Sequence, residues 1–283
     1  MKAGEVLRRR CSYCETATKS GRAGREGKGS TVTFELPRSV VAVALSIGAI
    51  SISASAQDLP GGSIKLLTQD QAMSWQAGID GDLSWTEDGY NFSGNDTGSG
   101  WAVQWDMLAS GVAGESIVTN ITVMNTSTTT NTFYIQLTKD IDGVYSSGSL
   151  VGGSISGSFT DLNGNGVTVS SVNGGSIYSA FVDGSASDIF DGINVGTLLN
   201  DTSGSAMSFF SGTFAAESFG EFPTIPGEVG PAIDTNFGIL LGFELTAGDT
   251  AAFTSSMAIA TPTPGVLALF SIAGISGRRR RAS

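Results

Sequence analysis

The dominant pattern in the chain is alternation. Phe237, Ile239, Leu241, Phe243 and Leu245 occupy every second position, with Asn236, Gly238, Gly242 and Glu244 between them. A period of two sends one set to a buried face and the other outward, as in a half-buried strand. Turn-forming Thr246-Ala247-Gly248-Asp249 follows, then Phe253, Ser255, Met257 and Ile259 on one face, so the pattern predicts a hairpin. Ile117, Thr119, Ile121 and Val123 alternate in the same way. Through polar Asn125 to Asn131 they lead into Phe133, Ile135 and Leu137, a second expected hairpin. Further strands are expected over 154–160, 167–172, 177–182 and 205–214. The nearest approach to a helical period is 187–199, weakened by Gly192 and Gly196. Short strands rich in Thr, Val and Ile, divided by Gly, Asn and Asp, predict an all-β fold: a single antiparallel β-sandwich with a jelly-roll-like arrangement.

Two segments break this pattern. Arg38 precedes an apolar stretch, Val40 to Ile52, and Ala54-Ser55-Ala56 then places small residues at the −3 and −1 positions before Gln57. The stretch has the length of a signal-peptide core and is short for a membrane span, so a signal helix removed before Gln57 is expected. At the other end stand Pro262-Thr263-Pro264, an apolar run from Gly265 to Gly277, and the cluster Arg278, Arg279, Arg280 and Arg281. Such a run, extended backwards through Met257, reaches a marginal span with the arginines on the cytoplasmic side. The chain therefore divides into a leader and signal peptide (1–56), a β body (57–260) and a hydrophobic sorting or anchor helix (261–283).

A short Pro motif, an apolar helix and a terminal Arg cluster resemble the PEP-CTERM sorting signal of bacteria. Thr263 stands where that signal carries its name-giving Glu, which makes Pro262-Thr263-Pro264 a variant of the motif. The resemblance implies recognition by an exosortase, a membrane transpeptidase-like cysteine protease, and cleavage near the Pro motif. It also implies a transient membrane stage and delivery to the cell envelope, surface or extracellular matrix. The expected partners are thus signal peptidase, an exosortase-type processing enzyme, the membrane before processing, and extracellular polysaccharide.

Charge sharpens this division. Nine of the 15 Lys and Arg precede residue 39 and four lie in the tail, leaving Lys65 and Lys139 in the body against 22 Asp and Glu. The body's formal charge is thus −20, against −11 for the whole chain. Such a surface repels nucleic acid, which is set aside as a partner. Both cysteines, Cys11 and Cys14, lie upstream of the signal, and the chain has no His. The body is left without disulfides, soft metal ligands, or a Ser-His or Cys-His dyad.

Three constellations remain as candidates for chemistry. Asp161-Leu162-Asn163-Gly164-Asn165-Gly166 places oxygens at positions 1, 3 and 5 and Gly at 6, like the start of a calcium loop. Position 12 is Val172 where a bidentate Glu belongs, so the same residues suit either a plain β-turn or a weak calcium site. All four Trp lie between Trp75 and Trp105. Trp75, Trp85 and Trp101 would form a carbohydrate-stacking platform flanked by Asp80, Asp82 and Asp96, or else fill the core, the commoner fate of large aromatics in β domains. Glycoside hydrolysis needs two carboxylates, and Glu217 and Glu221 are the only close Glu pair, in a sequence that leads into loop. The expected function is an exported structural or adhesive protein without catalysis. The alternative is a carbohydrate-binding module built on the Trp segment, and behind it a polysaccharide hydrolase.

Overall fold

The computed structural model describes residues 60–262 apart from 112–113, 142, 144, 186 and 222–225. Ala54, Ala56, Gln57, Thr263, Pro264, the four arginines and the two segments expected to form flanking helices lie outside the described residues. Within them the chain is all-β, with strands in two antiparallel sheets and no α-helix.

In chain order the strands are β1 (Gly62–Leu67), β2 (Ala72–Gln76), β3 (Asp82–Trp85), β4 (Gly89–Gly98), β5 (Trp101–Ser110), β6 (Glu115–Asn125), β7 (Asn131–Asp140) and β8 (Ser149–Thr160). They continue with β9 (Val167–Ser171), β10 (Ser176–Val182), β11 (Ile193–Asn200), β12 (Ser203–Ala206), β13 (Ser211–Phe219), β14 (Glu228–Gly230), β15 (Asn236–Leu245) and β16 (Thr250–Ala260). The first sheet runs β11-β10-β15-β7-β1-β2. In it β9 lies end to end with β10 along β15, and β12 lies beside β9. The second sheet runs β13-β8-β16-β6-β5-β4-β3, with β14 also on β8.

The two expected hairpins are not formed. The alternating runs are strands, but each pair is split between the sheets: β6 pairs with β5 and β16, while β7 pairs with β1 and β15. Likewise β15 pairs with β7 and β10, and β16 with β6 and β8. The reason is burial. Both runs of each pair carry a predominantly apolar face, with Thr119 and Ser255 bonded to each other within it, and crossing from one sheet to the other lets those faces meet. Phe243 of β15 and Phe253 of β16 stand 4.9 Å apart across the interior instead of side by side on one sheet. In the 187–199 segment, whose helical period is weakened by two glycines, β11 begins at Ile193. The 205–214 segment, expected as one strand, divides into β12 and β13 around Met207 to Phe210.

The inner faces of both sheets merge in one apolar core. Every alternating residue of β15 named above is fully buried. Tyr178 of β10 reaches across and donates its hydroxyl to the Ser256 carbonyl of β16 at 2.8 Å, and its burial pushes the phenol pKa well up. Glycine makes room for these rings. A Cβ at Gly157 of β8 would fall 2.8 Å from the Phe253 ring.

Candidate functional site

The four tryptophans divide between core and surface. Trp75 on β2 and Trp101 and Trp105 on β5 are buried at 6%, 1% and 2% exposure, packed together with ring centroids 6.2 and 4.8 Å from Trp75. Buried indoles keep their N–H groups bonded where partners can be found. Trp101 donates to Gln71 Oε1 at 2.6 Å and Trp75 to Asp96 Oδ2 at 3.1 Å, so Asp96 serves a core tryptophan. Asp80 accepts the Gln76 N–H at 2.9 Å and closes its own loop. Only Trp85, on edge strand β3 and 47% exposed against Tyr90, presents a face to solvent. The buried cluster joins the first sheet's edge to the second, so of the two readings the core one describes Trp75 and Trp101, and three tryptophans at one surface are not available.

The Asp161 loop is a crossover from β8 to β9, and its polar atoms are turned onto the backbone. Asp161 Oδ1 accepts the N–H groups of Asn163 and Gly164, and Oδ2 those of Gly166 and Phe209, at 2.6 to 3.1 Å. Burial opposes ionisation of this carboxyl, but the four donors outweigh it and hold its pKa at about 2. Asn163 Oδ1 accepts the Asn165 N–H, and its amide donates to the Ala247 carbonyl. Asp249, buried alongside, has its carboxyl pKa raised, first by burial; hydrogen bonds from Thr246 and Leu162 oppose the rise and the charge of Asp161 adds to it. Two oxygens that already receive four N–H bonds have little left for a cation. Among the described residues no group of three or more acidic side chains is gathered in a metal-binding arrangement.

The neighbouring crossovers are bound into the same layer. Buried Asn125 donates to the Thr129 and Leu245 carbonyls at 2.8 Å and accepts the Ser127 N–H and hydroxyl. Its own main chain joins Asp249 and Gly248. The β12–β13 crossover leaves Met207, Phe209 and Phe210 exposed. Phe209 lies over Gly164, a residue whose φ of +84° a side chain rarely adopts.

Glu217, of the expected acidic pair, accepts the Leu199 N–H at 2.8 Å, which ties β13 to β11. Glu221 sits at positive φ just beyond β13.

At the opposite end of the strands lies a cavity that the sequence did not single out. It measures about 260 Å³ and opens on the outer face of the first sheet. Ser63 and Lys65 of β1 and Thr138 of β7 form its floor. Gln76, Ala77 and Ile79 wall one side, Gly184, Ser185 and Asn236 the other, and Pro60, Gly61 and Asp140 close the end. Lys65 Nζ donates to Gln136 Oε1 at 2.9 Å and to the Ser185 carbonyl at 3.1 Å. Its pKa is lowered by burial, against the opposing field of Asp188. Asn236 holds the Gly184 backbone by both its amide atoms, which fixes the far wall. The available signal was Lys65 itself, one of two cations in a body with 22 acids.

No protein-family model matches the chain, and no curated protein matches it.

Proposed function

We propose that the chain is an exported bacterial protein whose acidic, jelly-roll-like β-sandwich is displayed at the cell surface or in the extracellular matrix. There it serves a structural or adhesive role without catalysis. The observation that carries this reading is the pair of address segments: the signal sequence ending at Ala54-Ser55-Ala56, and Pro262-Thr263-Pro264 with its apolar run and Arg278 to Arg281. The described strands are compatible with it. Among the described residues the first strand begins at Gly62 and the last ends at Ala260, so cuts before Gln57 and near Pro262 would remove no described strand. The repeated passage of consecutive strands between sheets, β6 to β7 and β15 to β16, supports the jelly-roll-like description. The dense backbone and core bonding supports a rigid scaffold that needs no disulfide.

Removing residues 265–283 tests the sorting step. The full chain, produced in its own host, should be found at the envelope surface or in the matrix, and the shortened chain in the periplasm. Identical distribution of the two would overturn the sorting reading.

A further inference from the structure

We propose that the cavity around Lys65 and Asp140 is a binding site for a single neutral sugar ring, either free or at the end of a glycan chain. The inference goes beyond surface display and stands without it, because it rests on the folded body alone.

Size sets the first limit. Drug-sized ligands occupy roughly 300–1,000 Å³, and a cavity of about 260 Å³ suits one ring rather than two. Charge sets the second. A body with formal charge −20 repels free anions from its surroundings. A cation drawn in by that charge would meet the Lys65 ammonium in the cavity wall. A neutral ligand rich in hydrogen-bonding groups is what these opposing fields leave.

The lining completes the match. Hydroxyls both donate and accept, and the wall offers both functions: the hydroxyls of Ser63 and Thr138 and the side-chain carbonyl of Gln76 accept, and Lys65 donates. Gln136 and Ser185 take two of the ammonium's three protons and aim the head group, and the third is the donor for a ligand oxygen. Pro60, Ala77 and Ile79 supply an apolar surface for the C–H face of a ring, and Ile79 stands 64% exposed where nothing in the domain covers it. Gly61 is required here, because a Cβ at that position would collide with the Asp140 side chain and displace it from the end wall.

The test is hydrogen–deuterium exchange of the full-length chain in mild detergent. It would be titrated separately with methyl glycosides of glucose, galactose, mannose and N-acetylglucosamine, and with glucuronate and calcium as charged probes. The expected result is saturable protection by at least one neutral glycoside in peptides covering 60–66, 76–81 and 183–185. Ile79→Arg fills the cavity mouth from an exposed position and should abolish that protection while leaving exchange in β15 and β16 unchanged. Lys65→Gln should weaken the apparent affinity by about tenfold or more, the loss of one hydrogen bond from a charged donor. The proposal is overturned if no neutral glycoside protects these peptides, if only glucuronate or calcium does, or if the protection survives Ile79→Arg. None of these outcomes bears on whether the chain is exported and sorted.

Discussion

The body's two lysines sit on neighbouring strands and meet opposite fates. Lys139 of β7 points inward, 6% exposed, where it pairs with Glu115 of β6 and lies 6.0 Å from the centroid of the Phe237 ring. Lys65 of β1 points outward and is held by neutral oxygens of Gln136 and Ser185, with Asp188 acting only through its field. A buried ion pair binds its members to each other, and removing one takes the countercharge from the other. A cation held by neutral acceptors at a cavity wall keeps its capacity to meet something else. The difference teaches that a rare charge is informative through its company, and that Lys139 is structural where Lys65 is poised.

The sharpest way to break this comparison is to truncate Lys139. Lys139→Met should destabilise the domain by about 3–5 kcal/mol, the cost of taking the ammonium away from a buried carboxylate. Chemical denaturation would measure it, and a change below 1 kcal/mol would place Lys139 among the solvated charges. Asn125→Ala, at the far end of the strands, removes the partners of two carbonyls and one N–H and should cost about 3 kcal/mol. Gly157→Val pushes side-chain atoms against the Phe253 and Phe214 rings and should cost about 1–3 kcal/mol by overpacking. Lys65→Met, by contrast, should cost less, about 1.5–2 kcal/mol, because the two acceptors it leaves behind are neutral and only part-buried. The ratio of the two lysine effects is the quantitative form of the comparison.

Acid adds a finer test. The Asp161 carboxyl has its pKa depressed from 3.8 to about 2 in the folded protein, so its contribution is present above pH 4 and is lost as pH falls from about 4 to about 2. Thermal melts across that window should show a fall in Tm that Asp161→Asn flattens, from a lower starting Tm. An equally steep fall in the variant would assign the acid limb to other carboxylates. Calcium should give the smallest effect. With both Asp161 oxygens engaged by backbone N–H groups, millimolar calcium or its chelation should leave the Tm where it was.

Strand positions were legible wherever a period of two had one predominantly apolar face. Residues 237–245 and 117–123 became β15 and β6 with the expected residues buried. Pairing was not legible, because a turn such as Thr246–Asp249 serves equally to reverse within a sheet or to arch between two. What decides is that Phe243 and Phe253 need each other across a core, a long-range fact that local pattern does not carry. The tryptophans were ambiguous for a related reason: an aromatic cluster reads the same whether it faces water or a second sheet. The Asp161 motif was read as turn or calcium loop, and the turn's bonds are the ones present. The cavity was invisible because its walls come from five separated segments, joined by the β2–β1–β7–β15–β10 ladders and the Asn236–Gly184 bonds.

The measurement that bears most directly on the central claim is the intact mass of the protein recovered from the envelope and medium of the producing cells. The account predicts a species that begins at Gln57 and ends near Thr261, with every described strand retained and both address segments gone. A species that begins at Gln57 but keeps Arg278 to Ser283 would contradict it, making the tail a permanent anchor and the exosortase-type cut an error.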